Sequence, residues 1–203
     1  MEIKNNYKKV ISLKENLFSI IKDGKSVLSY DLEANSSACL FFCDYSGAIT
    51  EINVNLDANS SCELYGIFKN TNENTNIITN VTHNGNNSKC DQDFRFINKN
   101  SISSFKGLIS VPRKAHNCES HMKNKNLLLD NTSQAFAKPE LDIKNSDVIC
   151  THSSTTGTLD EEQIFYIQSR GLSYQESVNM LVEAFYQDIK SKIVSTQIGW
   201  YYL

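Results

Sequence analysis

Ala48-Ile49-Thr50-Glu51-Ile52-Asn53-Val54-Asn55-Leu56 runs through the polar break Asp57-Ala58-Asn59-Ser60-Ser61 into Cys62-Glu63-Leu64-Tyr65-Gly66-Ile67-Phe68. In the first run Ile52, Val54 and Leu56 alternate with polar residues, the period-two pattern of a strand with one buried face. The unit recurs at Asn76–His83, Phe94–Ile97, Ser104–Val111 and Lys125–Leu129. Strand follows strand at intervals of roughly 12 residues with no helical pattern between them, which predicts a sandwich, a barrel or a β-solenoid.

Composition favours the solenoid. The 203 residues include 2 prolines and 8 glycines but 23 asparagines. So few Pro and Gly argue against many tight hairpins. Asparagine tolerates the left-handed backbone conformation, and stacked polar turns can hydrogen-bond from one coil to the next. The densest stretch, Asn70 to Asn76, reads as one long turn. No strict short repeat runs through the chain, so pattern alone leaves solenoid and sandwich both open.

The formal net charge of −3 and pI near 5.8 argue against a basic nucleic-acid surface. The longest apolar run, Ala38 to Cys43, is far short of the roughly 20 residues a membrane span needs. Met1 to Lys9 carries charge with no apolar stretch behind it, so no signal peptide is expected and a soluble intracellular protein is. Six scattered cysteines without a C-x-x-C pair are then expected as reduced thiols rather than a disulfide framework or a zinc knuckle.

Near residue 157 the pattern turns helical. Thr158-Leu159-Asp160-Glu161 reads as a capping box, Gly171 as a helix C-terminal glycine, and Ser173-Tyr174-Gln175-Glu176 as a second capping box. Val178, Leu181, Val182, Phe185 and Ile189 form one apolar stripe, expected to pack on the β body. The predicted organisation is an N-terminal segment (1–30) of strands or irregular chain, a β core (31–156) and a C-terminal helical segment (157–203).

Cys150-Thr151-His152 is the sharpest chemical feature. In a strand, residues i and i+2 share a face, so thiol and imidazole project together; both are ligands for iron or zinc, and both could form a nucleophilic pair. His116, Cys118 and His121 form a second metal-like group in which His116 and Cys118 would share a strand face. His83, ending a strand alone, reads as a hydrogen-bonded structural residue. Nothing matches a P-loop, a dinucleotide fingerprint, a nucleophile elbow or H-E-x-x-H, so the chain itself is not expected to bind nucleotide.

The run from Cys150 through Phe165-Tyr166 to Ser169-Arg170-Gly171 resembles the SufB/SufD core family, which assembles iron–sulfur clusters. Asn126 to Asp130, Lys138 to Ile143, Thr82-His83 with Ser88, and Phe105 to Val111 are similar to further segments of that family. Cys150 and His152, with Gly157 and Leu159-Asp160-Glu161-Glu162, look like the SufD branch. SufB-type scaffolds carry Glu where Ser153 stands and a cysteine in the segment aligned with Asp130 to Ser133. The resemblance implies a mainly β fold, a right-handed parallel β-helix followed by a small C-terminal helical hairpin, in a non-enzymatic subunit.

It further implies a SufB-like scaffold partner and a SufC-like ABC ATPase partner, no nucleic acid and no membrane. A homodimer in the absence of scaffold is among the assemblies it allows. His152 and Cys150 would sit at the cluster-assembly interface, with His152 the candidate metal ligand in the complex only. Leu159, Phe165, Tyr166, Ser169 and Arg170 would bind the ATPase. No cofactor is expected to be bound permanently: an iron–sulfur cluster or iron would be held transiently, and ATP would act only through the partner. The implied setting is the bacterial cytoplasm or a plastid-type organelle. The competing expectations are a stand-alone β-solenoid binding module and a Cys/His hydrolase.

Overall fold

Alternating burial along strands such as Ile49–Leu56 and Ile102–Val111 forces one set of side chains inward and leaves the backbone to pair sideways, and every pairing among the described strands is parallel. The computed structural model describes residues 2–3, 6–21, 25–44, 47 and 49–195. Those residues form thirteen strands and two helices. Strands β1 (Glu2–Ile3), β3 (Lys14–Ile21), β5 (Ser37–Asp44), β7 (Ser61–Thr71), β9 (Lys89–Lys99), β11 (Cys118–Leu128) and β13 (Val148–Thr158) build one seven-stranded sheet in that order. Strands β2 (Asn6–Ile11), β4 (Lys25–Leu32), β6 (Ile49–Leu56), β8 (Thr75–His83), β10 (Ile102–Val111) and β12 (Gln134–Ile143) build a second, six-stranded sheet.

Chain order alternates between the sheets, so each pair of strands is one coil of a parallel β-solenoid. This settles the choice that pattern left open. Described strands of the segment 1–30 pair in register with the coils above them, while residues 1, 4–5, 22–24, 45–46, 48 and 196–203 lie outside the described chain.

The asparagines hold the corners. Asn35, Asn59, Asn72, Asn87, Asn100 and Asn117 all have φ between 49° and 63°, and they are the only non-glycine residues with positive φ among those described. Asparagine adopts this region at lower cost than bulkier residues. Side-chain amides then bond coil to coil: Asn59 Nδ2 donates to Asn35 at 3.1 Å, Asn87 to Asn59 at 2.9 Å and Asn117 to Asn87 at 2.8 Å. A second ladder joins Asn100 to Asn72 at 2.7 Å. The stretch expected as one long turn from Asn70 is shorter, because Asn70 and Thr71 end β7 and β8 begins at Thr75.

Two glycines serve close packing. Gly66 lies under the Phe94 ring, where a Cβ would meet ring carbon at 2.5 Å, and at Gly85 a Cβ would meet the Ala58 backbone nitrogen at 2.1 Å. The interior is closed by stacked aromatics. Phe68 and Phe96 lie 4.9 Å apart between centroids, with Phe94 and Phe105 at 5.2 Å. Burying each such ring contributes about 1.5–3 kcal/mol.

Helices α1 (Glu161–Gln168) and α2 (Tyr174–Ser195) form the hairpin. Asp160, not Thr158, caps α1, its carboxylate accepting from Glu162 N at 2.9 Å; Thr158 is still paired in β13 and so is unavailable as a cap. The second capping box forms as read, Ser173 and Glu176 bonding reciprocally. Val182, Phe185, Tyr186 and Ile189 pack onto Phe41, Tyr65, Ile67 and Ile97 on the outer face of the seven-stranded sheet. Arg95, 3 % exposed, pins this contact: its guanidinium donates to the Phe185 carbonyl and to the carboxylates of Asp93 and Asp188. None of the described helices is long and apolar enough to cross a membrane.

Candidate functional site at the open end of the solenoid

Register places the Cys-x-His pair at the end of two interior columns. One runs Cys62, Cys90, Ser120, Cys150; its neighbour runs Leu64, Gln92, Met122, His152. The shared face expected from strand parity is therefore the inward one. No further described coil covers β13, so Cys150 is half-buried and His152 exposed. The interior also changes chemistry toward this end. Above Phe94 and Phe96 come Asn124 and Asn126, then Ser154 and Thr156. Asn126 Nδ2 donates to Asn124 Oδ1 at 2.8 Å and to Thr156 Oγ1 at 3.2 Å, and Ser154 Oγ to Asn124 Oδ1 at 3.1 Å.

Each sheet ends here on an edge strand. On β12, Leu141 and Ile143 face inward yet are 37 % and 36 % exposed, and outward Phe136 is 57 % exposed. That strand carries Pro139 and the charges Lys138, Glu140 and Asp142, the usual protection of an edge. The other edge is bare. Eleven residues of β13, VICTHSSTTGT, include no proline, Lys, Arg, Asp or Glu, and outward Ile149 is 61 % exposed.

Burial raises the Cys150 thiol pKa, and the nearby Cys118 adds to the rise. This is opposite to what a nucleophile requires. No group of three or more His, Cys, Asp or Glu among the described residues is placed to hold a metal.

The second histidine group disperses. His116 precedes β11 and sits on an exposed corner near Asn145 and Asp147, Cys118 points into the core, and His121 faces outward to Thr151 and Glu119. The expected shared face for His116 and Cys118 fails because the strand begins only at Cys118. His83 is structural: its Nδ1 lies 2.8 Å from Ser88 Oγ, itself bonded to the Gly85 carbonyl. Asp130 organises a corner. Its carboxylate accepts from the Thr132 hydroxyl and the amides of Asn100, Thr132 and Ser133, which holds it well below the usual range.

Desolvation lowers the His83 pKa to about 4, from 6.5 when unburied, so the folded state keeps the ring neutral. Stability from this group is complete above pH 6.5 and is lost as pH falls toward 4, where the unfolded chain takes the proton first. The expected loss is about 3 kcal/mol. Urea denaturation of wild type and His83→Asn across that window checks it: the variant should lack this part of the slope.

At the hairpin, Phe165 and Tyr166 are 74 % and 59 % exposed. Ser169 and Arg170 are exposed beside them, with Arg170 Nη2 donating to the Tyr166 hydroxyl at 2.9 Å. Leu159 is separate, half-buried in a cleft between hairpin and sheet.

A family model described as "SUF system FeS cluster assembly, SufBD core domain" matches residues 27–185, which span the solenoid from β4 through most of α2. The chain belongs to the SufBD family of the SUF iron–sulfur cluster assembly system. Among SufBD relatives, the iron–sulfur cluster assembly protein SufD of Escherichia coli strain K12 is 42 % identical over 81 residues, covering 40 % of this chain and 19 % of that protein. A SufBD family protein of Mycobacterium tuberculosis is 35 % identical over 91 residues, 45 % of this chain and 11 % of the relative. One from Porphyra purpurea is 28 % identical over 137 residues, 66 % of this chain and 28 % of the relative. These matches each take in less than a third of the relative's length. The sequence reading gave no role to Arg95, to the bare β13 edge or to the apolar rim of Phe136, Leu141, Ile143 and Ile149. Of these, only the uncharged run of β13 leaves a signal in the sequence.

Proposed function

We propose that this chain is a SufD-like, non-catalytic subunit of an iron–sulfur cluster assembly complex. The open coil pairs with a SufB-like scaffold, and the exposed end of the hairpin around Phe165, Tyr166, Ser169 and Arg170 meets a SufC-like ABC ATPase. The observation that supports it most is the bare eleven-residue β13 edge beside an uncovered interior. An unprotected edge offers its free N–H and C=O groups to another strand, and the apolar rim adds desolvated area. Where scaffold is absent, the same edge allows a homodimer.

In this reading the cluster or iron is cargo held transiently at the joined ends, with His152 giving one imidazole and Cys150 lying beneath it. ATP acts only through the partner, and the setting is the bacterial cytoplasm or a plastid-type organelle. Co-expression with the cognate scaffold and ATPase tests this. Wild type and His152→Ala should both co-purify as the complex, the variant with impaired cluster delivery. Ile149→Lys combined with Leu141→Glu should leave the fold intact and lose the scaffold, since burying unpaired charge costs several kcal/mol. Separate elution of the wild-type subunits would remove the proposal's support.

A further inference from the structure

Helix α2 lies against the sheet along its second half but diverges toward its N-terminus, leaving a cleft of about 360 Å³ beside the ends of β7 and β9. That volume lies within the range of small-molecule sites. Its apolar lining comes from Ile97, Leu129, Leu159, Val178 and Val182, and its polar lining includes Lys69, Lys99 and Asn179. No carboxylate lines it, although the protein as a whole is acidic.

The two lysines differ. Lys69 donates to the Tyr186 hydroxyl at 2.8 Å and feels the charge of Glu183. Lys99 is exposed at the cleft, and no carboxylate among the described residues pairs with it. An apolar pocket with an exposed ammonium group and no carboxylate in its described lining is complementary to an amphipathic anion.

We propose that this cleft binds a small amphipathic organic anion, its apolar body between α2 and the sheet and its acidic group at Lys99. The site is separate from the open coil and from the exposed end of the hairpin, so it does not rest on the assembly reading. Lys69, already engaged with Tyr186, supplies a second positive charge at longer range. Occupancy would wedge the first turns of α2 against β7 and β9.

Titration of the full chain with anilinonaphthalene sulfonate, an anionic dye that brightens in apolar surroundings, tests the site. Saturable binding is expected, weakened by at least about tenfold in Lys99→Glu and in Val178→Trp, and weaker by a similar factor for the uncharged analogue phenylnaphthylamine. Circular dichroism and the thermal midpoint of each variant report whether the fold is kept, and Lys99→Glu, at an exposed position, keeps the test decisive if Val178→Trp fails to fold. Absence of saturable binding overturns the proposal. So does a loss smaller than that in either folded variant, which would assign the dye to the open coil or the outer hairpin face, and so does equal binding of the uncharged analogue.

Discussion

Replacing Arg95 by alanine is expected to cost about 3–5 kcal/mol, because it removes one member of a buried ion pair and leaves Asp93 without its partner. The Arg95 side chain is 4 % exposed and that of Asp93 16 %, whereas Asp188 is 63 % exposed. The Asp188 bond therefore contributes little of the cost. Burial alone would lower the Arg95 pKa, but the two carboxylates outweigh it and the guanidinium stays charged. The bond to the Phe185 carbonyl makes the same substitution a test of hairpin docking.

Two further contacts, Lys69 to the Tyr186 hydroxyl and Lys192 to the Tyr65 hydroxyl, still tether α2 in the variant. The expected result is thus loosened docking ahead of global unfolding. Hydrogen exchange should show lost protection in α2 and on β9, with β4 and β6 of the other sheet unchanged. Combining Arg95→Met with Asp93→Asn should recover part of the loss by removing both charges. A cost under about 1 kcal/mol for Arg95→Ala would show that the apolar contact under α2 suffices alone.

Phe96→Ala is expected to destabilise by about 3–5 kcal/mol. Phe96 is fully buried, 4.9 Å from Phe68 and 6.2 Å from Phe105 between ring centroids. Coils on both sides are held in register by continuous backbone ladders, so the walls of the cavity cannot close as they might around a loosely held helix. Urea denaturation should show a lower midpoint at unchanged slope, and Phe96→Leu should restore much of the difference. A loss below about 1.5 kcal/mol would mean that the neighbouring rings refill the space. The polar terminal coils with Asn124, Asn126 and His152 rest on this aromatic coil.

Much of this was legible locally. Alternation in Ile52, Val54 and Leu56 marks inward positions that are fully buried. Spacing in Val182, Phe185 and Ile189 marks the docked side of α2. Strand parity puts Cys150 and His152 on one face. The coil-to-coil repeat was not legible, because successive corner asparagines stand 24, 28 and 30 residues apart and no fixed period exists to detect. The capping of α1 was misplaced for a related reason, since Thr158 is claimed by pairing with Leu128 thirty positions earlier.

Local sequence sets strand and helix type, the left-handed corners and the shared face of Cys150 and His152. Each depends on residues a few positions apart, within reach of backbone sterics, turn chemistry and side-chain period. Tertiary structure alone decided which coil is last. Inward-facing positions of β13 differ from those of β11 in exposure because β11 has a covering coil and, among the described residues, β13 has none. It also decided that Arg95 meets Asp188, 93 residues away, and that α2 leaves a cleft beside Lys99. Such contacts depend on the summed geometry of every rung between the partners, which no short window of sequence contains.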